Sequence, residues 1–161
     1  VILTHKFGRS MHHFLITVIT LLLSSNSDAG IEVNAWSRAT PEGGTTAAIY
    51  GRFANNGDIP MTVTSVQVDF ADQAMVHDSR HEEGMVSMRT GELVIPVAGI
   101  VELKPNGKHI MLMGLTRKLR EGCNYSFRLN WSDNSTTLHR FLTGSIAQLT
   151  PSKSLSTKTC K

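Results

Sequence analysis

Tyr125-Ser126-Phe127-Arg128-Leu129-Asn130-Trp131 alternates large apolar and polar side chains without interruption. Successive side chains of a strand point to opposite faces, so this stretch buries Tyr125, Phe127, Leu129 and Trp131 and leaves the residues between them to solvent. Weaker copies of the same period lie upstream. Ile31, Val33 and Ala35 alternate with Glu32 and Asn34, and Met61 and Val63 with Thr62 and Thr64. Turn-forming clusters separate them: Asn55-Asn56-Gly57-Asp58, Lys104-Pro105-Asn106-Gly107 and Asp133-Asn134-Ser135. Only Leu112 to Leu119 reads as a short helical or turn-like excursion. Several short strands punctuated by Gly, Pro and Asn predict an antiparallel β-sandwich, and no internal repeat is present.

The chain has 161 residues, enough for one domain with its own core. Its formal charge of +3 is carried by the ends. Between Gly30 and Leu149 there are 11 basic and 12 acidic residues, so the body is not basic and a nucleic-acid-binding surface is excluded as a reading. Phe14 to Leu23 is apolar but too short to cross a bilayer, which takes roughly 20 residues. Ser27 and Ala29 place small residues where a signal peptidase requires them. The expectation is an exported protein with residues 1–29 as leader, cleaved after Ala29, with translation starting at Met11 or upstream. The alternative is a retained membrane anchor, or a buried strand that is never cleaved. Residues 30–149 then form the domain, residues 150–161 a disordered polar tail, and no second apolar run predicts stable membrane insertion.

Cys123 lies in a turn-like Glu-Gly-Cys-Asn and Cys160 is the penultimate residue. An oxidising compartment permits a bridge between them, which would pin the tail to the domain. Free thiols and an intermolecular bridge are equally open.

Histidine and methionine concentrate in two segments. One runs from Met75 through His77, His81 and Met85 to Met88, and the other is His109-Ile110-Met111-Leu112-Met113. On a strand, His109, Met111 and Met113 share one face and Ile110 and Leu112 the other. An imidazole beside a thioether is half of a soft-metal site, and a second pair from the His77–Met88 segment would complete four ligands. Such a set selects Cu(I) over Zn, Mg or Ca, and it contains no thiolate that an oxidising compartment could remove. Methionine also fills gaps in sandwich cores, which is the ordinary role of any single one here. His81 and His139 are read as solvent-facing or hydrogen-bonded.

These residues resemble the periplasmic copper(I) chaperones that serve the CuA centre of cytochrome c oxidase, the PCuAC-like proteins. The hallmark of that family is a His, ten residues, a Met, about 21 residues and then His-x-Met. Here ten residues separate His77 from Met88, and His109-Ile110-Met111 follows after 20, one fewer than usual. The similarity extends from Ile31 to Thr143 and is most specific over Val101–Leu115. It implies a cupredoxin-like antiparallel β-sandwich with Greek-key connections. It further implies one Cu(I) per domain, held by His77, Met88, His109 and Met111. Met85 and Met113 match no hallmark position and are expected in the core or beside the site. The implied partner is the apo CuA subunit of cytochrome c oxidase or another copper acceptor protein, supplied by ligand exchange.

No nucleophile elbow, zinc-protease motif or phosphate-binding glycine loop is present, so an enzyme is not expected. A blue-copper carrier would need a Cys ligand among its histidines, and Cys123 has no His shortly after it. A periplasmic copper buffer or resistance protein would use the same ligands and is the nearest alternative. A sandwich module without metal is the remaining one.

Overall fold

The computed structural model describes residues 30–82, 85–151 and 160. The expected leader, most of the polar tail and the tip between the two Met/His-bearing strands lie outside the described residues. The strands are β1 (Ile31–Arg38), β2 (Thr46–Asn55), β3 (Met61–Gln67), β4 (Ala71–Glu82) and β5 (Met85–Thr90). They continue with β6 (Leu93–Ile95), β7 (Ile100–Leu103), β8 (Lys108–Leu115), β9 (Asn124–Trp131) and β10 (Thr136–Gly144).

The stretch that predicted the fold is β9, and its alternation is the observed one. Tyr125, Phe127, Leu129 and Trp131 are buried, with Ser126 and Arg128 exposed. They meet Ile49 and Phe53 of β2, Ile110 and Leu112 of β8, and Phe141 of β10 in one continuous core. Each such side chain contributes about 1.5–3 kcal/mol by leaving water. The two polar aromatic groups of β9 keep partners. Trp131 Nε1 donates to Thr137 Oγ1 at 2.8 Å. The Tyr125 hydroxyl accepts from the Arg120 amide at 3.0 Å and donates to the Lys118 carbonyl at 3.3 Å, tying down the β8–β9 connection.

Strands pair in the order β5-β4-β8-β2-β1-β10-β9-β3-β6, with β7 also on β2. The fold is an all-β sandwich, as the alternation predicts. It is not wholly antiparallel, because β1 and β10 run parallel, with Ala35 opposite Phe141. A parallel pair needs a long connection, and here the whole domain supplies it. Strand β2 serves two partners in turn. It pairs with β8 over Thr46–Ile49 and with β7 over Gly51–Ala54. The change falls at Gly51, whose φ of 148° and close approach to β1 exclude a side chain: a Cβ there would overlap the Asn34 carbonyl oxygen.

The expected excursion at Leu112–Leu119 is corrected. Strand β8 continues to Leu115, with Leu112 fully buried opposite Ala47 and Ala74. The helical option fails because neighbouring strands bind both edges of this segment. Only Thr116–Leu119 departs, as an open bend that returns Leu119 to the core, its amide on Thr40 Oγ1 at 3.0 Å.

The cysteines are joined. Cys123 and Cys160 form a disulfide with Cα atoms 5.5 Å apart, and Cys160 packs against the core. The tail is therefore pinned near its end to the turn before β9.

Candidate metal centre

Strands β4, β8 and β5 carry the Met/His segments, and they are neighbours in the sheet. Ile110 and Leu112 of β8 and Val76 of β4 point into the core. By alternation, His109 and Met111, and Met75, His77 and Ser79, occupy the other face. The register then sets who meets whom. His77 lies opposite His109, and Met75 opposite Met111. On the next strand Met88 lies opposite Ser79, and Thr90 opposite His77. All four expected ligands therefore stand on one face across three adjacent strands.

Their surroundings differ. His109 is 6% exposed, whereas Met88 on β5 is 60% exposed. Met88, His109 and Met111 line one hollow of about 380 Å³, bounded by Thr40, Pro41, Tyr50 and Ile146. His77 is not in that lining. It stands beside His109 on β4, with ring centroids 5.8 Å apart in an edge-on arrangement.

Hydrogen bonding orients one of the two imidazoles. His109 Nδ1 lies 2.9 Å from the Gly107 carbonyl oxygen, which can only accept, so Nδ1 carries a proton and Nε2 is the ring nitrogen left to bind a metal. A ring nitrogen held this way on a backbone carbonyl is the usual arrangement behind a metal-ligating histidine. The same carbonyl also accepts the Ser79 amide. His77 Nδ1, by contrast, is buried with no hydrogen-bond partner among the described residues. Burial, and secondarily the neighbouring His109, hold the His77 pKa below the ordinary imidazole value, so its neutral form is favoured.

The donor chemistry is specific. Among the described residues no three His, Cys, Asp or Glu side chains come together as a metal-ligating group. Among the described residues, thioether sulfur is the donor that remains to complete the shell of a metal held by His77 and His109. Two imidazoles and two thioethers make a soft, uncharged set suited to a soft monovalent ion. A buried nitrogen without a partner is what such a site contains before its ion arrives.

Sequence reasoning missed several neighbours. Tyr50 of β2 packs on His109 with centroids 6.2 Å apart, Trp36 packs on Tyr50 at 4.8 Å, and the Arg38 guanidinium lies 5.9 Å from the Tyr50 ring centre. The signal was present, since Tyr50 follows core residue Ile49 and so shares a face with Ala48, the partner of Met111. Ile146, after β10, carried no local signal. Met113 is half-buried at the end of β8, opposite Gln73 and outside the hollow's lining. The side chains of His81 and Met85 lie outside the described residues. His139 is hydrogen-bonded, its Nε2 2.7 Å from Thr137 Oγ1.

Comparison with known proteins agrees with this architecture. A putative lipoprotein of Leifsonia xyli subsp. xyli, Lxx21020, is 32% identical over 111 residues, which are 67% of this chain and 66% of that protein. This chain thus spans a little under two thirds of that relative. The solution structure of CuI-DR1885 from Deinococcus radiodurans superposes with a TM-score of 0.61 at 25% identity, covering 78% of this chain and 87% of that one. The apo PCuAC domain from PmoF1 gives a TM-score of 0.63 at 22% identity, covering 73% and 97%. The copper-bound PCuAC domain from PmoF2 gives 0.59 at 19%, covering 71% and 92%. The family described as "Putative lipoprotein LpqE-like" matches residues 33–140, and the chain belongs to that family, the PCuAC family.

Proposed function

We propose that this protein is an exported copper chaperone that binds one Cu(I) through His77, Met88, His109 and Met111 and delivers it by ligand exchange to an apo copper protein. The observation that carries the reading is the donor set itself. Two imidazoles in register on β4 and β8 share a face with two thioethers, and no harder cluster is found among the described residues. The solved relatives whose names state Cu(I) or copper support the choice of metal. Export is supported by the disulfide, which reducing compartments do not sustain, and by the lipoprotein names of the relatives; in this reading the protein is periplasmic and its leader is cleaved near Ala29.

In this reading neutral donors hold the ion without adding charge. His109, fixed through Gly107, and His77, kept neutral, provide the rigid half of the shell, while the thioethers provide the half that an incoming ligand displaces. The apo CuA subunit of cytochrome c oxidase is the first acceptor to test. A buffer would bind the same ion without handing it on.

Anaerobic Cu(I) titration of the protein from Gly30 onward, against a competing chromophoric chelator, tests the site. One equivalent with a mixed nitrogen and sulfur shell by X-ray absorption is expected. A Met88→Leu, Met111→Leu double variant of unchanged affinity would sink the assigned ligands, and storage without delivery to apo-CuA protein would favour the buffer.

A further inference from the structure

The ligand-bearing strand β5 is one edge of the sheet, and its backbone pattern sets what that edge offers. The Gly91 amide donates to the Val76 carbonyl at 2.8 Å, which makes 76/91 a hydrogen-bonded pair of the antiparallel β4–β5 ladder. Hydrogen-bonded pairs alternate in such a ladder, so Arg89 and Ser87 also point their backbone groups at β4. The amides and carbonyls of Val86, Met88 and Thr90 then point the other way, where no strand pairs with β5 among the described residues. The phase agrees on the far side of β4, whose Ser79 amide bonds the Gly107 carbonyl just before β8.

Sheet edges are normally blunted, because bare amides and carbonyls recruit foreign strands. The opposite edge of this sheet is. Strand β6 has three residues and is followed at once by Pro96. Strand β5 has six residues and no proline, and Arg89 is its only formal charge. The unguarded edge is also the one that presents Met88, the most exposed of the four expected ligands.

We propose that the β5 edge is the docking site of the copper acceptor, which adds an extended segment to β5 and so brings its own soft ligand beside Met88. This rests on the copper-binding reading above. The segment satisfies the outward backbone groups of Val86, Met88 and Thr90, while alternate side chains lie over the metal face. The exchange conserves charge and electrons: the Cu–S bond to Met88 breaks as a bond to the acceptor's thioether or imidazole forms. Copper stays Cu(I), and no proton moves when the entering donor is neutral. His109 is the least accessible donor and holds the ion until the acceptor's second ligand arrives.

The probe is a capped synthetic peptide alternating Val and Thr around one His and one Met. Amide hydrogen exchange by NMR is followed on the Cu(I)-loaded protein with and without it. Added protection is expected at Val86, Met88 and Thr90 but not at Ser87 or Arg89, which already bond β4. Thr90→Pro removes one outward donor and should slow Cu(I) transfer to the peptide by up to about tenfold, the worth of one net hydrogen bond, with Cu(I) affinity unchanged. The exchange pattern on the wild type stands even where the proline variant does not fold. Protection confined to the hollow, or absent while copper transfers at full rate, overturns the docking site but not copper binding. Protection of the same amides that grows with protein concentration and needs no peptide assigns the edge to a second copy of this chain and overturns the proposal too. No Cu(I) binding by the wild type overturns both readings.

Discussion

Replacing His77 by leucine should stabilise the metal-free protein and weaken the copper-loaded one. The His77 Nδ1 atom is buried and has no partner among the described residues, and an unsatisfied buried polar group costs about 1–3 kcal/mol. Leucine fills similar space with no polar atom. The change also removes the edge-on contact with the His109 ring, worth roughly 0.5–1.5 kcal/mol where aromatic pairs have been measured. The balance favours the variant by about 1 kcal/mol, or about 4 °C in Tm for a domain of this length. Cu(I) reverses the order. A ligand at a thousandfold excess over its Kd stabilises the native state by about 4 kcal/mol, and a variant lacking one donor forfeits most of that. Thermal unfolding followed by circular dichroism, once with chelator and once in a Cu(I) buffer, reads both halves. The reasoning fails if the metal-free variant loses 1 kcal/mol or more, because the imidazole is then a structural member. It fails equally if Cu(I) raises both Tm values by the same amount, because His77 is then no ligand.

Two further outcomes follow from the structure. The Cys123–Cys160 bridge closes a loop spanning 37 positions, so a Cys123→Ser, Cys160→Ser double variant should lose about 3–4 kcal/mol by loop entropy, measured by urea unfolding. An unchanged midpoint would mean that the bridge does not form in solution. Stability should also fall on acidification, because burial holds His139 and His77 below the ordinary imidazole value of about 6.5. Above that value both folded and unfolded states are neutral and the full stability is present. As the pH falls below it, the unfolded chain takes up the protons first, and stability is lost until the folded values are passed. His139→Gln should flatten this decline between pH 7.5 and 5, and an equally steep decline in that variant would refute its share.

The lowered value of His139 has a structural partner. Thr137 Oγ1 accepts the Trp131 indole proton and sits 2.7 Å from His139 Nε2, so one hydroxyl links the indole to the imidazole. Sequence reading left His139 either solvent-facing or hydrogen-bonded, and it could not name the partner. Thr137 and His139 project on one face by strand period, whereas Trp131 joins them only once β9 and β10 turn back on each other.

The same division separates what was legible at the metal centre from what was not. Ile110 and Leu112 face the core, and His109 and Met111 face away from it, as the two-residue period requires. Leu112–Leu119 was misread because its Leu, Met, Arg and Lys residues favour helix by local propensity. Strands β2 and β4, bound on both sides, decided the matter in favour of β8. The parallel β1–β10 pair left no local mark, since parallel strands are joined by no turn whose residues could announce them.

The sequence by itself determined the side-chain period, the placement of the basic excess outside the body, and the soft donors carried on short strands. These are properties of neighbouring residues, and strand geometry converts them directly into faces. Only the tertiary structure decided that His77 lies opposite His109, that Cys123 meets Cys160, that Tyr50 walls the site and that Met88 stands on an open edge. Register between distant strands is chosen by the burial of whole faces and by closing the backbone hydrogen bonds between them, and no local window contains either quantity.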